Sequence, residues 1–327
     1  MEQFKALVVK DNEGAIIHGV EHLTLDNLDE GNVVIKVAYS SLNYKDMLAV
    51  QPKGGIIRRY PMIPGIDLSG TIVSSYDDRF SEGQEVLLTG YDLGVSHTGG
   101  LSEYARVKAD WLIPLPEGLS LKDAMVFGTA GFTAAQSIDA LEQHGLADNK
   151  DARVIITGAT GGVGSIALQL LVKAGYTNLT ALVRKDYQVE VAKNLGAHQI
   201  IFPNDLGEKR LLGRTMYDFA LDTVGGDVAA TIIPQLADNG SISMCGNAAG
   251  VALDTNVLPF ILRGVNLLGI NSVTETHERR LLLWDKMAND WNISSDALSN
   301  EISLDEVPSV LEALKEGKHV GRTIVSF

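Results

Sequence analysis

The stretch VIITGATGGVGSIALQL, from Val154 to Leu170, sets four β-branched residues directly before a glycine cluster and an apolar helical pattern directly after it. That order predicts a buried strand, a tight turn and a helix start, the opening of a β-α-β unit. In such a turn small residues let the backbone approach a pyrophosphate, while free N–H groups and the positive helix end favour its charge. Gly158, Gly161 and Gly164 spell G-x-x-G-x-x-G. A Walker-type phosphate loop ends in Gly-Lys-Ser/Thr, and Val163-Gly164-Ser165 supplies no lysine. The turn therefore reads as a dinucleotide site.

The second strand of this unit, NLTALV, runs into Val183-Arg184-Lys185. A site for NAD places Asp or Glu about 20 residues past the glycines to bond the ribose hydroxyls. Two cations stand there instead, which suits the 2′-phosphate of NADPH by charge and by hydrogen bonding. The bland alternative is a solvated basic turn, and Asp186 leaves a preference for NAD open.

From Leu121 onward the strands RVIIT, NLTALV, QIIF, YDFALDTV, SISMCG and NLLGINSV alternate with helical stretches, which predicts an α/β fold with a Rossmann doubly wound parallel sheet. Ahead of them FKALVV, NVVIKVAYS, GTIVSS, QEVLLTG and LSEYARV are short runs bounded by Gly, Pro, Asn and Asp, the texture of a β-rich module. The late strand GRTIVSF has no neighbours nearby in sequence and is expected to return to that module. The 327 residues suit two domains. Residues 1–123 with 297–327 are expected to form the β-rich domain, and residues 124–296 the dinucleotide-binding one. A net charge of −14 opposes non-specific contact with nucleic acid or anionic membrane. No apolar run reaches the roughly 18–20 residues of a membrane span. MEQFKALVVKDNEG lacks the basic start of a signal peptide, so a cytoplasmic location is expected. The single cysteine, Cys245, excludes an intrachain disulfide and fits a reducing compartment.

His18-Gly19-Val20-Glu21-His22 matches the inverted zinc-protease pattern H-x-x-E-H. That pattern works on a helix. Its surroundings, AIIHGVEHLTL, are β-branched with a central glycine and predict a strand or turn instead. No nucleophile elbow such as G-x-S-x-G accompanies the remaining histidines. Cys245 follows the apolar run SISM and reads as a small packed side chain.

SSLNYKDMLAV, IIRRYPMIPGIDLSG and FGTAGFTAA, taken with GATGGVG, resemble the medium-chain dehydrogenase/reductase superfamily. The likeness is to its zinc-independent quinone oxidoreductase branch, and within that to the acryloyl-CoA reductase type, YhdH/YhfP-like. It extends over essentially the whole chain, to GRTIV. The resemblance implies a GroES-like β-rich domain, a Rossmann domain and a cofactor cleft between them. Zinc-dependent relatives carry Gly-His-Glu after the equivalent of Pro64, where this chain has Gly65-Ile66-Asp67. Without a Lewis acid, alcohol oxidation loses its means of stabilising an alkoxide, whereas hydride addition to an electron-poor double bond needs less help. The implied activity is NADPH-dependent reduction of an activated C=C bond, in acryloyl-CoA or a similar small enoyl thioester. Reduction of quinones or enones is the near alternative, and a non-catalytic NADPH-binding structural or regulatory protein the distant one.

The cofactor contacts implied by the resemblance are Tyr44, Thr160, Gly161, Gly162, Val163, Val183, Arg184, Lys185, Asn247, Ile261, Ser272 and Arg322. Within Asn43-Tyr44-Lys45-Asp46, the Tyr44 phenol is the candidate proton donor, with Asn43 and Asp46 positioning it or the nicotinamide. Packing of Tyr44 on the cofactor is the competing role. Arg58 and Arg59 are candidates for the phosphates of coenzyme A or a substrate carboxylate, against a plain solvated loop. Thr129 is either near the nicotinamide or a helix cap. The edge strand NLLGINSV invites pairing across a homodimer.

Overall fold

The computed structural model describes residues 3–293 and 299–327, so the expected boundary between residues 296 and 297 lies outside the described residues. The chain forms two compact units, residues 3–129, 273–288 and 299–327 in one and residues 130–272 and 289–293 in the other. Among the described residues no helix is long and apolar enough to cross a membrane.

The first unit is organised by the strand Val33–Leu42. Val33, Ile35 and Val37 are buried while Lys36 between them is exposed, the alternation expected of a strand with one face on a core. They pack with Leu68, Ile72, Val86, Leu88 and Val107. At ~1.5–3 kcal/mol for each fully buried aliphatic side chain, this cluster is a main source of the unit's cohesion. The same strand pairs antiparallel with Asp67–Ser75, with Tyr104–Val107 and with Arg322–Ser326. The GRTIVSF segment does return to the β-rich unit. Its register, Thr323 opposite Leu42, sets Arg322 beside Asn43.

The second unit holds a six-stranded parallel sheet. Its order is Gln199–Ile201, Leu179–Leu182, Val154–Thr157, Tyr217–Asp222, Leu236–Met244 and Asn266–Gly269. Val154–Thr157 is central and buried at every position, as a strand covered on both faces must be. Chain order reverses between it and Tyr217–Asp222, so the crevice beyond the carboxyl ends of these two strands is the ligand position typical of this architecture.

Three details depart from the sequence reading. The apolar run LKDAMVFGTAGFTAAQSIDALEQ is not one helix, because Gly128 breaks it with φ 51° and ψ −155°. A Cβ there would stand 2.6 Å from both the Asp67 carboxylate and the Ser41 hydroxyl, so only glycine fits. The strand expected over NLLGINSV is confined to Asn266–Gly269.

The third is the helix His277–Ala288, read from sequence as part of the dinucleotide-binding domain, which clusters with the first unit. The reason is Arg280. Its guanidinium is almost fully buried, donates to the carbonyls of Thr89 and Val273, and lies 4.4 Å from the centre of the Tyr91 ring. Replacing it by methionine keeps the aliphatic stem but strands those carbonyls, a loss of about 2 kcal/mol or more. Arg280→Met is expected to speed amide hydrogen exchange in the 277–288 helix and leave the parallel sheet of the second unit unchanged.

Candidate functional site

In the second unit the glycine turn joins Val154–Thr157 to the helix Gly162–Lys173. Gly164 lets the helix pack on the turn: a Cβ there would meet the Gly158 carbonyl oxygen at 2.3 Å. Gly161 is the N-cap and offers no side-chain cap, and the first helical turn carries no acidic residue. The amides of Gly162, Val163 and Gly164 precede the first intrahelical acceptor, since the ladder begins with Ser165 N–H donating to the Gly161 carbonyl. An uncapped helix start with no carboxylate in its first turn can hold a pyrophosphate.

The basic turn and the glycine turn are connected. Gln188, in the first turn of Tyr187–Asn194, accepts from the Arg184 amide at 2.9 Å and the Lys185 amide at 3.0 Å, and donates to the Thr160 hydroxyl at 2.8 Å. Arg184 is exposed and Lys185 half-buried, whereas Val183 is buried. Asn247 follows the carboxyl end of Leu236–Met244 and is exposed; Ser272 follows Asn266–Gly269 and is half-buried. These residues share the carboxyl end of the sheet with the glycine turn. Ile261 is 68% exposed on the helix Leu258–Arg263, which precedes the edge strand. Cys245 sits half-buried with its amide on the Asp222 carbonyl. Burial and the nearby Asp222 carboxylate push its thiol up to about 12, so no thiolate forms at neutral pH.

In the first unit the centre is Asp67, with no exposed surface at all. Its carboxylate accepts from the Ser41 hydroxyl at 2.5 Å, the Asn43 amide at 2.7 Å, and both the backbone N–H and the hydroxyl of Thr129. Thr129 thus caps the break at Gly128 against Asp67. Arg322 lies 3.9 Å from the same carboxylate and is itself buried. It donates to Ser41 Oγ, the carbonyls of Leu42 and Val126, and Asn43 Oδ1. The resemblance implied a cofactor contact for Arg322. In the structure its guanidinium is directed at acceptors of its own unit, where it balances a carboxylate that water cannot reach. Burial lowers its pKa, and the Asp67 and Asp46 carboxylates raise it.

Asn43 and Asp46 join this network, whereas Tyr44 makes none of its hydrogen bonds. Asn43 Oδ1 accepts from Arg322, and its Nδ2 donates to Asp67 and the Ser41 carbonyl, so its amide is fixed at both ends. Asp46 accepts from the Asn43 backbone N–H at 2.8 Å, closing the start of the helix Tyr44–Ala49. Its other oxygen is buried with no hydrogen-bond partner. Burial, then the negative charge of Asp67, raise its pKa to about 7. Tyr44 is 48% exposed at the first helical position. Arg58 and Arg59 are not brought to this network; Arg59 is ion-paired with Asp29, and Arg58 is exposed with its amide on the Val95 carbonyl. His18 and His22 lie on the strand Ala15–Leu23, as their β-branched surroundings predicted.

Two contributors escaped the sequence reading. Asp67 was visible only as a missing metal-ligand motif, and its role as hub requires Arg322, hundreds of residues away. Gln188 carried no motif. Its one signal was its position four residues after Arg184, at the start of a helix.

These two constructions, a glycine turn on a doubly wound sheet and a β-rich unit bearing an Asn-Tyr-Lys-Asp helix start, define a medium-chain dehydrogenase/reductase. Comparison with known proteins agrees. Residues 29–117 match the alcohol dehydrogenase GroES-like domain, and residues 162–289 match the family described as zinc-binding dehydrogenase. The acrylyl-CoA reductase AcuI of Ruegeria pomeroyi is 41% identical over 98% of each chain. The structure of the yhdH oxidoreductase from Salmonella enterica in complex with NADP is 44% identical over 99% of each chain, with a TM-score of 0.96. The Bacillus subtilis protein yhfP, solved with NAD bound, is 43% identical over 100% of each chain, with a TM-score of 0.97. The chain belongs to the medium-chain dehydrogenase/reductase superfamily, in the YhdH/YhfP-like branch. A catalytic zinc does not fit its residues: Ile66 offers no donor, and Asp67 is engaged by Ser41, Asn43, Thr129 and Arg322.

The raised pKa of Asp46 makes a stability prediction with a definite sign. A folded-state carboxyl that holds its proton more tightly than the unfolded one stabilises the fold at low pH, and this benefit is lost as pH rises from about 4 to about 7. Asp46→Asn removes that dependence. Relative to wild type it should gain stability between pH 5 and pH 8, by up to a few kcal/mol, in urea denaturation of the first unit.

Proposed function

We propose that the protein is an NADPH-dependent reductase of activated C=C bonds, acting on acryloyl-CoA or a similarly small enoyl thioester. The observation that carries this reading is the closed Asp67-Asn43-Arg322 network standing where zinc-dependent relatives assemble a metal site. A site of this composition offers no strong electrophile to an alcohol oxygen, and alkene reduction makes less demand for one. The end-to-end likeness to an acrylyl-CoA reductase supports the thioester.

NADPH fits the second unit. The amides of Gly162 and Val163, with Thr160, would hold its pyrophosphate beside Gly161, whose own amide closes the turn on the Gly158 carbonyl, and Arg184 with Lys185 would hold its 2′-phosphate. Tyr44, Val183, Asn247, Ile261, Ser272 and Arg322 are the further contacts carried over by resemblance. When bound, the cofactor supplies a hydride for the β-carbon of the substrate. Negative charge then moves to the thioester oxygen, and a proton must reach the α-carbon. Tyr44 is the donor in this reading, because its phenol is half-exposed while its backbone is fixed between two buried polar residues. Asn43 and Asp46 hold that helix start in place and so position the phenol or the nicotinamide. Of the two arginines only Arg58 has a side chain not paired to a carboxylate, so it is the better candidate for a coenzyme A phosphate.

NADPH absorbance followed with acryloyl-CoA, a simple quinone and an unsaturated aldehyde in parallel tests the reading. Oxidation fastest with acryloyl-CoA is expected; no oxidation with any of the three would leave a non-catalytic NADPH-binding protein. Tyr44→Phe should lower turnover about a hundredfold while NADPH affinity changes little.

The protein is further proposed to be a homodimer through the edge strand Asn266–Gly269. Leu267 on that strand and Ile261 and Leu262 on the preceding helix are all more than 40% exposed, an apolar strip beside unpaired backbone groups. Light scattering should return twice the 35.1 kDa chain mass, and a single chain mass would end this part of the proposal.

A further inference from the structure

Resting on the NADPH reading above, we infer that Gln188 couples the two phosphate-binding elements of the dinucleotide site and fixes the Thr160 hydroxyl as a donor towards the pyrophosphate. The argument begins with the chemistry of its amide. Oε1 faces two N–H groups, those of Arg184 and Lys185, at 2.9 and 3.0 Å. Those are donors only, so the oxygen must face them, and Nε2 must face Thr160. The bond of 2.8 Å to Thr160 Oγ1 therefore runs from Gln188 to the hydroxyl. A hydroxyl that accepts there keeps its own proton for another acceptor.

Thr160 is 2% exposed and lies between Gly158 and Gly161 at the mouth of the uncapped helix. The acceptor that fits this position is a phosphate oxygen. The other end of the same side chain holds the turn bearing both cations. One amide thus sets the spacing between the pyrophosphate turn and the basic turn, and sets the polarity of a hydroxyl between them. Thr160 and the basic turn are contacts in the reading above, whereas Gln188 acts through both as a positioning residue.

Glutamate at this position is nearly isosteric and still accepts from the two amides. Its second oxygen, however, accepts from Thr160, which reverses the hydroxyl and adds negative charge beside the pyrophosphate turn. Dissociation constants for NADPH, from quenching of protein fluorescence, would be compared for wild type, Gln188→Glu, Thr160→Val and the double variant, with melting temperatures of the cofactor-free proteins alongside. Gln188→Glu is expected to weaken NADPH binding about tenfold or more with its melting temperature near that of wild type. In the Thr160→Val background, where no hydroxyl remains to be reversed, the same substitution is expected to cost about threefold or less. Gln188→Met, which keeps the length and loses every polar atom, provides a second arm free of added charge; it should weaken NADPH several-fold, again less so with Thr160→Val.

NADPH affinity unchanged in both Gln188 variants, or equal losses with and without the Thr160 hydroxyl, would overturn the coupling. A wild-type protein that does not bind NADPH would instead bring down the cofactor reading on which it rests. The two failures are therefore separable.

Discussion

An acid that water cannot reach, Asp67, imposes most of the local order in the first unit. A carboxylate with no exposed surface is tolerable only if donors and a countercharge surround it. Ser41, Asn43 and Thr129 supply the donors, and Arg322 supplies the charge. Each requirement reaches outward. The strand Arg322–Ser326 must pair with Val33–Leu42 in one register, and residue 128 must lack a side chain. The helix carrying Tyr44 must begin at Asn43, whose amide is held between Arg322 and Asp67. Breaking such a buried pair by removing one partner costs about 3–5 kcal/mol, so the network constrains the fold as firmly as a hydrophobic core does.

The second unit reaches a binding surface by the opposite route. Its open polar groups are backbone amides left over at a helix start, neutral donors that need no countercharge of their own. Side chains enter mainly to hold turns together. Gln188 is one, and Asp222 is another: its carboxylate accepts from the Thr157 hydroxyl and the Gly225 amide and pins the turn after its strand. The first unit concentrates polarity in a sealed cluster, whereas the second displays it at an open sheet end.

This difference explains what could be read from the residues in order. The glycine turn, its strand and its helix are contiguous, and local pattern carried them correctly, as it did the strand environment of His18 and His22. The Asp67-Arg322 pair was not legible, since nothing in GIDLSG or GRTIV announces a partner hundreds of residues off. Arg322 carries no local signal of that pairing, and only the family resemblance assigned it a role, as a cofactor contact. The break at Gly128 was hidden because helical periodicity continues on both sides of it. The attachment of His277–Ala288 to the first unit was hidden for a similar reason: it depends on one buried arginine meeting Thr89, Tyr91 and Val273.

The closing strand also has a consequence for how the chain is made. Ser41 and Arg322 are separated by 281 positions, and the residues between them include all of the parallel sheet. On the ribosome, the second unit therefore emerges complete while Asp67 still lacks its cation. The β-rich unit, first to be translated, is the last able to close, and until Arg322 emerges its interior carboxylate favours staying hydrated over being sealed in. A nascent chain of this kind must keep the Tyr39–Leu42 edge of its central strand unpaired through most of synthesis, and it is during that interval that it would most need shielding from misplaced strand pairing.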